Sequence, residues 1–303
     1  MNLNDALSIF LPSVSKPKDL DNIEAVLDFN RYKGETLFDA KKAKELISYM
    51  WQHVICDTFD EAVIRKAFSM GLFPMSFEKR VLDLEDFSRF SCYSFGTKNK
   101  PPYYRDVLFI RHHDEKLIIR PDDFGYPHKV KRYIRQQFAD YTLCFNRDFS
   151  QCVDRLMNAY HPNWIIPPLV EQFKRINEQP DAQVAVVSVE LWKDDELVAG
   201  ELGFVNRNSY ASLSGFHTEP NSGTVQMAIL GEVLFDLGFA YWDLGMLMDY
   251  KMAYHPIVAD RAIQRSMLAG LAPSRIELPK SPIRVGDVVL KALQRNSRQN
   301  EGF

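Results

Sequence analysis

The sequence predicts an α+β fold in which a mixed β-sheet is flanked by helices, with a smaller domain at the N-terminus. Residues 185–192, 197–206 and 210–216 are apolar segments separated by the short polar turns "KDDE" and "RNS", which predicts three strands joined by hairpins. A loop and a helix with apolar residues at helical spacing follow over 217–238, and "FAYWDLGM" (239–246) is typical of a further strand.

The segments before this meander predict helices and two short strands. "DAKKAKELISYMWQHVI" (39–55) has the spacing of a helix, and "DEAVIRKAFSMGLFPMS" (60–76) predicts a helix that Gly71 and Pro74 stop. "VLFIRHHDEKLIIR" (107–120) predicts two strands around a turn at Asp114-Glu115. A basic helix leading into a strand is expected over 127–146, and two more helices are expected in "DFSQCVDRLMNAY" and "PPLVEQFKRINEQ".

This order of elements also suggests how the domains are arranged. An antiparallel meander, a helix and then a strand is the order of an acyltransferase core of the N-acetyltransferase (GNAT) type. A chain of 303 residues that is 46% hydrophobic can bury enough surface for two domains. We expect an accessory domain over 1–120 and the acyltransferase-like domain, with a C-terminal tail, over 121–303.

Composition excludes several classes of protein. A formal net charge of -3 argues against a chain that coats nucleic acid over its whole surface. Four widely spaced cysteines are too few for a disulfide scaffold of this size. The N-terminal residues lack the pattern of a signal peptide, and no segment has the roughly 18 apolar residues of a membrane helix. We therefore expect a cytoplasmic protein.

The strand "FAYWDLGM" contains one carboxylate, Asp243, between Trp242 and Leu244. A buried charge costs free energy unless it is paired or used in chemistry. One interpretation is a carboxylate that caps the next turn and faces water. The other is a catalytic group at the carboxyl end of a strand, and the residues alone leave both open.

The loop before the late helix is the second candidate site. Asn221, Ser222, Gly223 and Thr224 are suited to capping the helix, and free backbone N–H groups at such a position can bind an anion. Ordinary capping is the simpler interpretation. Acetyltransferases that use coenzyme A carry a pattern like Q/R-x-x-G-x-G/A here, which "EPNSGTVQ" lacks, so coenzyme A is disfavoured and we expect no cofactor.

A basic stripe is the third candidate; its members are Lys129, Lys131, Arg132 and Arg135. Four cations within seven residues give this helix a local potential opposite in sign to that of the whole chain. A solvated helix face is the simpler interpretation, and a docking surface for a polyanion is the alternative.

A tryptophan and a pair of histidines are further candidates for function. Trp164 in "NWIIPP" either fills the core or stacks on a base. His112 and His113 are adjacent on a strand and point to opposite faces, and no cluster of Cys or His follows at ligand spacing. We therefore expect no metal site.

One long stretch resembles a known family. "SVELWKDDELVAGELGFVNRNSYASLSGFHTEPNSGTVQMAILGEVLFDLGFAYWDLGM" (188–246) resembles the core of the leucyl/phenylalanyl-tRNA–protein transferases. "GLFPMS" (71–76) is similar to that family's G-hydrophobic-F-P motif, and "NWIIPPLVEQF" to its T-W-I segment. The resemblance touches residues 60 to 265. It implies a GNAT fold and an enzyme that moves Leu or Phe from aminoacyl-tRNA to the N-terminal amine of a protein beginning with a basic residue, in the N-end rule pathway of protein degradation.

The resemblance implies a role for each candidate residue. Asp243 matches the catalytic aspartate, which would orient or deprotonate the attacking amine. The basic stripe matches a cationic helix that holds the tRNA acceptor arm, Trp164 matches a tryptophan near the terminal adenosine, and Asn221 matches a loop asparagine. The pocket for the aminoacyl side chain would be lined by Glu201, Tyr210, Met227, Leu230 and Trp242. The implied partners are aminoacyl-tRNA and the acceptor N-terminus, with neither a metal nor a membrane.

The chain also departs from the family's pattern. Gly245 stands in place of a glutamine, and Leu213 in place of the glutamate that receives the acceptor's basic side chain. Glu201 replaces a methionine of the pocket, where we expect it to be unpaired against a leucine side chain. The family's W-W-S-P-D-P-R segment becomes "RHHDEKL", in which Lys116 keeps a charge near the position of the arginine. These departures are compatible with a changed acceptor, a changed donor or a lost activity.

Three functional hypotheses follow. The first is a tRNA-dependent aminoacyltransferase, in which positioning and local electrostatics act on an ester that is already activated. The second is a relative that binds tRNA or peptide without turnover. The third is an N-acyltransferase that uses another carrier or acts on another amine.

Overall fold

The computed structural model describes residues 13–27, 52–56, 58–77, 106–159 and 163–300. Its strands, in chain order, are β1 (Ser13–Val14), β2 (His53–Cys56), β3 (Phe73–Phe77), β4 (Val107–Arg111), β5 (Glu115–Ile119), β6 (Thr142–Phe145), β7 (Val184–Lys193), β8 (Glu196–Asn206), β9 (Ser209–His217), β10 (Tyr241–Gly245), β11 (Ile257–Asp260) and β12 (Ile283–Arg284). Its α-helices are α1 (Glu61–Ser69), α2 (His128–Tyr133), α3 (Phe149–Ala159), α4 (Pro167–Glu178), α5 (Ser222–Asp236), α6 (Arg261–Ala269) and α7 (Val285–Asn300). Two 3-10 helices cover Pro17–Asn22 and Asp249–Tyr254, and a π-helical turn covers Ile134–Phe138.

The chain divides into two compact units. The first comprises Met1–Asp114 and Tyr160–Ile176, and the second comprises Glu115–Ala159 and Asn177–Phe303. The segment 160–176, which carries α4 as far as Ile176, thus belongs to the first unit although it follows α3 of the second.

The first unit contains a sheet with the strand order β1-β2-β4-β3. Helix α1 begins after Asp60, whose carboxylate accepts hydrogen bonds from the backbone N–H groups of Ala62 and Val63. The helix has a buried apolar face, and Phe68 on that face lies 5.8 Å from Phe173 of α4, measured between ring centroids. Beyond α1, Gly71 has a φ of 68°, a left-handed conformation that ends helices.

Two predictions for this part of the chain need correction. The helix predicted over 39–55 is wrong at its end, because His53–Cys56 form β2, which pairs antiparallel with β4; residues 39–51 lie outside the described residues. The two strands predicted over 107–120 exist as β4 and β5, but they belong to different sheets. The turn at Asp114-Glu115 therefore carries the chain from one sheet to the other and does not close a hairpin.

The second unit is built on a sheet with the order β11-β5-β10-β9-β8-β7-β6-β12. Strands β7, β8 and β9 form the predicted antiparallel meander, and β10 then pairs parallel with β9 after the crossover through α5. Helix α5 packs its apolar residues, among them Val225, Ile229 and Leu230, into the main core of this unit. The chain is therefore an α+β protein with helices flanking a multi-stranded sheet, as the sequence predicts.

Candidate functional site

Asp243 lies in the middle of β10, an interior strand of the large sheet. Strand β10 runs antiparallel to β5 and parallel to β9, which places Asp243 beside Ile118 on one side and Ala211 on the other. The residue is only 4% exposed. Its carboxylate is thus inside the protein, so the interpretation in which it faces water is wrong.

The charge of Asp243 is paired inside the protein. The ammonium of Lys116, on the neighbouring strand β5, lies 2.7 Å from Oδ2 of Asp243, and Lys116 is itself buried. The backbone N–H of Gly245 donates to Oδ1 at 2.8 Å. Both carboxylate oxygens therefore have a donor, which offsets the cost of burying the charge.

Glu201 of β8 is a second buried acid of the same unit. Its Oε1 accepts hydrogen bonds from the Tyr210 hydroxyl at 2.7 Å and from the Ser212 hydroxyl at 2.8 Å. Ser212 Oγ in turn accepts from Nε1 of Trp242 at 2.9 Å. The expectation that Glu201 is unpaired is wrong, because two hydroxyl groups from the neighbouring strand β9 reach it.

Burial changes the protonation of this acid. Desolvation raises the pKa of Glu201 to about 7, and the hydrogen bonds from Tyr210 and Ser212 and the charge of Lys251 act in the opposite direction without cancelling it. Near neutral pH the carboxyl group therefore exists in both protonation states.

Lys251 is a buried cation in the 3-10 helix Asp249–Tyr254, and its ammonium donates to the carbonyl oxygen of Leu244 at 2.5 Å and to that of Met246 at 3.2 Å. Desolvation lowers its pKa to about 8, while the charges of Asp243 and Glu201 raise it. The lysine therefore lies within electrostatic reach of both acids.

The five residues predicted to line the aminoacyl pocket belong to the second unit. Tyr210, Leu230 and Trp242 are fully buried in its main core, and Met227 is half-buried against that core. The hydrogen bond from Tyr210 joins Glu201 to this group. Trp242 pairs with Tyr210 on the neighbouring strand β9. That these five residues line one pocket therefore stays a prediction.

The N-terminus of α5 differs from the prediction. Asn221 has a left-handed backbone with a φ of 69°, and its side chain makes no capping hydrogen bond, so the expected Asn221 cap is wrong. Ser222 donates its hydroxyl to the carbonyl oxygens of Glu219 and Val198, and Gly223 is half-buried beside it. Tyr141 and Lys193 hold the carboxylate of Glu219, so this loop is fixed by the side chain of Glu219.

The basic stripe occupies α2 and the π-helical turn that continues it. The apolar face of this segment, formed by Val130, Ile134 and Phe138, is buried. The cations lie outside that face: three are exposed, and Lys131 is half-buried with its ammonium 5.4 Å from the centre of the Tyr126 ring. The stripe therefore presents positive charge on the surface of the second unit, through Lys129, Lys131, Arg132 and Arg135.

Trp164 belongs to the first unit and is half-buried there. Its carbonyl oxygen accepts hydrogen bonds from the backbone N–H of Ser76 at 3.1 Å and from the Ser76 hydroxyl at 2.6 Å. The Ser76 hydroxyl also accepts from the N–H of Ile166. The two short motifs "GLFPMS" and "NWIIPP" are thus hydrogen-bonded to each other.

The described residues contain neither a metal-binding cluster nor a membrane-spanning helix. Within their ranges no group of three or more His, Cys, Asp or Glu side chains is arranged to hold a metal ion. Among the helices described there, none is both long enough and apolar enough to span a membrane.

Two buried contacts near Asp243 cannot be predicted from the sequence. The pairing of Lys116 with Asp243 joins residues 127 positions apart and has no local signal. The position of Lys116 directly before the apolar run "LII" is the one available clue, because a strand buries a charge only beside a partner. Lys251, in "DYKMAYHP", lies in a short polar segment that gives no periodic signal at all.

Comparison with known proteins gives a consistent set of relatives. The family profile described as leucyl/phenylalanyl-tRNA protein transferase matches residues 118–265. A leucyl/phenylalanyl-tRNA–protein transferase of Thermosynechococcus vestitus is 31% identical over 157 residues, which is 50% of this chain and 74% of that protein. One of the same name from Pseudomonas fluorescens is 28% identical over 171 residues, 55% of this chain and 71% of that protein.

A solved structure is similar to about half of this chain. The structure of L-PGS from Bacillus licheniformis is 12% identical, with a TM-score of 0.36 over 51% of this chain and 63% of that chain.

Proposed function

The chain belongs to the leucyl/phenylalanyl-tRNA–protein transferase family, and from this premise we propose that it moves Leu or Phe from aminoacyl-tRNA to the N-terminal amine of a protein. The observation that carries the proposal is the family match over 118–265, because this stretch contains Asp243, Glu201 and the basic stripe. The relative from Thermosynechococcus vestitus, of which the chain covers 74%, supports the same activity. We place this reaction in the cytoplasm, where aminoacyl-tRNA is available to a bacterial transferase.

The proposed reaction is an aminolysis. The α-amine of the acceptor protein attacks the carbonyl carbon of the ester that joins the amino acid to the terminal adenosine of the tRNA. A C–N bond forms, the C–O bond to the ribose breaks, and the proton lost by the amine ends on the ribose oxygen that leaves. No metal or cofactor is required to balance this step, and the main demand on the protein is to position two substrates.

We assign Asp243 to the attacking amine. A carboxylate has about four lone-pair sites, and the hydrogen bonds from Lys116 and Gly245 use one on each oxygen. Asp243 can therefore accept a further hydrogen bond from the amine and stabilise the positive charge that develops on its nitrogen. The ion pair with Lys116 fixes the carboxylate in place before substrate arrives.

We assign the side chain of the transferred amino acid to the group formed by Glu201, Tyr210, Met227, Leu230 and Trp242. Apolar walls of this kind suit Leu or Phe. The protonated form of Glu201 is the one compatible with an apolar neighbour, since an ionised carboxylate beside a Leu side chain loses its solvation. We further propose that Asn221, Ser222 and Gly223 serve the acceptor end of the tRNA.

We propose that the second unit has the GNAT fold. The support is the order of its central elements: an antiparallel meander of β7, β8 and β9, the crossover helix α5, and a return to β10 parallel to β9.

The transfer assay tests the proposal directly. The purified chain is incubated with tRNA charged with radioactive Leu or Phe and with an acceptor protein that begins with Arg, and label in acid-insoluble protein is counted after the tRNA is hydrolysed. We expect label on the Arg-initiated protein and much less on a matched protein that begins with an acetylated residue. Failure to label any acceptor with either charged tRNA would contradict the assignment.

We propose that the basic stripe docks the tRNA. Reversing charge at Lys131 and Arg132 (K131E/R132E) should weaken tRNA binding and lower the dependence of log affinity on log salt concentration by about two, one for each phosphate that is no longer neutralised. The matched control reverses two exposed cations of the same unit, Arg155 and Lys280 (R155E/K280E). Equal effects of the two variants would show that net charge alone is responsible and would contradict a localised docking surface.

A further inference from the structure

The turn that follows Asp243 is held by a buried lysine. The ammonium of Lys251 donates to the carbonyl oxygens of Leu244 and Met246, the two residues on either side of Gly245. The N–H of Gly245 donates to Oδ1 of Asp243. These contacts form one connected path from the lysine, through the Gly245 turn, to the carboxylate.

This turn needs support from outside the strand. The pairing of β10 with β5 shifts register between Asp243 and Gly245, so the regular ladder is interrupted there. Gly245 has a φ of 68°, a left-handed conformation that favours glycine. The orientation of the Gly245 N–H is therefore set by the turn and not by an undisturbed β-ladder.

Burying the ammonium of Lys251 costs free energy unless its charge makes favourable contacts. Lys251 is 9% exposed, and an apolar side chain of similar length would avoid the cost of removing an ammonium from water. The carbonyl groups of Leu244 and Met246 accept two of the three ammonium protons. Charge-assisted hydrogen bonds of this kind are stronger than neutral ones, so the ammonium can hold both sides of the turn.

We propose that Lys251 is a positioning residue that fixes the Asp243 carboxylate through the Gly245 turn. This inference rests on the proposed function, in which Asp243 receives the attacking amine. In this role Lys251 does not contact the reacting atoms. Its effect reaches them through the hydrogen bond from Gly245 to Asp243.

The charged and titratable groups around Lys251 make its charge depend on pH. Asp243 faces it from β10 and Glu201 from β8, and the Tyr250 ring of its own 3-10 helix lies 5.8 Å from the ammonium. Tyr254 follows one turn later on that helix and stays neutral, because burial raises its pKa well above the usual range. Because the pKa of Lys251 is lowered to about 8, its charge is present below pH 8 and is lost as pH rises through that value.

The central experiment compares Lys251→Met with the wild-type protein and with Lys280→Met, which removes an exposed lysine of the same unit. Hydrogen exchange of the Gly245 amide is measured by NMR, and transfer rates are measured from pH 6 to 9.5. In K251M we expect the Gly245 amide to exchange at least tenfold faster. We also expect kcat to fall at least tenfold with KM for aminoacyl-tRNA within twofold, and the decline in rate above pH 8 to disappear.

Chemical rescue separates positioning from general destabilisation. Lys251→Cys is treated with 2-bromoethylamine, which converts the thiol to an aminoethyl thioether that closely resembles lysine, and the wild-type protein is treated in parallel as a control for its own cysteines. We expect kcat to recover and the alkaline decline to move to lower pH, since the amine of the thioether is less basic than that of lysine. Recovery of the fold without recovery of kcat would overturn the inference.

The hydrogen-exchange measurement tests the role of Lys251 even if the protein shows no transfer activity. In the wild-type protein the protection of the Gly245 amide should fall as pH rises through about 8, after correction for the intrinsic exchange rate. Unchanged protection across that range, or in a folded K251M variant, would overturn the inference. A wild-type protein that transfers no amino acid would contradict the proposed function, while the exchange result would still decide whether Lys251 holds the turn.

Discussion

Glu190 and Glu201 are buried acids on the neighbouring strands β7 and β8, and they differ in how fully their oxygens are hydrogen-bonded. The backbone N–H of Asp148 contacts both oxygens of Glu190 at 3.0 Å, the Ser188 hydroxyl donates to Oε1, and the Trp192 indole N–H donates to Oε2. Glu201 accepts two hydroxyl donors, and both reach the same oxygen, Oε1.

The difference indicates which acid is available for chemistry. Glu190 uses both oxygens to join β7 to the start of α3, so it has a structural role. Glu201 keeps an oxygen that no donor of the described residues reaches, and burial raises its pKa to about 7. Asp243 is intermediate in how fully its oxygens are hydrogen-bonded. It has one donor on each oxygen, and Lys116 is its counter-charge. A buried acid is therefore a better functional candidate when its oxygens retain capacity for a substrate.

The largest effect on the transfer rate is expected from a substitution at Asp243. The change Asp243→Asn keeps the shape of the side chain and removes the charge that would stabilise the attacking amine, so kcat should fall at least about 100-fold, within the range of a proton-transfer or electrostatic group. The measurement is the initial rate of Leu or Phe transfer, with folding checked by circular dichroism. A folded variant with a rate within threefold of the wild type would show that Asp243 has no role in the reaction.

The second effect is a pH dependence of stability caused by Glu201. Its pKa is raised from 4.5 to about 7, so between these values the folded state keeps a proton that the unfolded state releases. The contribution of Glu201 to stability is therefore fully present below pH 4.5 and is lost as pH rises from 4.5 through 7. Glu201→Gln does not titrate, so relative to the wild type its free energy of unfolding should increase by roughly 3 kcal/mol across this window.

Urea unfolding at several pH values between 4.5 and 8 measures this difference. Glu190→Gln, studied in parallel, tests whether any buried glutamate would give the same profile. A difference between E201Q and the wild type that does not change with pH would show that folding does not raise the pKa of Glu201.

The sequence predicts the second unit well because its signals are local. Two short turns separate the strands of the meander, and helix α5 ends just before Gly238, which has a φ of 88°. Asp243 can be recognised as a candidate site residue for a similar reason, because it is the one acid in an apolar strand.

The contacts that the sequence does not predict are those that depend on tertiary structure. Lys116 reaches Asp243 from a strand 127 residues earlier in the chain, and Ser212 reaches Glu201 from a neighbouring strand. The segment His53–Cys56 has helical spacing but forms a strand, because pairing with β4 outweighs local propensity. Asparagine is a residue that often caps helices, so the sequence predicts a cap at Asn221. In the structure Asn221 has a left-handed backbone and its side chain makes no capping hydrogen bond.

The smallest of these effects is expected at Glu190, and it concerns stability alone. In Glu190→Gln one oxygen acceptor becomes an N–H₂ donor, which then faces a donor it cannot accept from, either the Trp192 indole or the Asp148 N–H. Leaving such a group unsatisfied in the interior costs about 2 kcal/mol. Urea unfolding should show this loss at every pH where the wild-type protein is folded, while kcat of the folded fraction stays within twofold. A fall in kcat similar to that of D243N would break the distinction between the two kinds of buried acid, because a carboxylate with both oxygens already hydrogen-bonded would then be acting on the substrate.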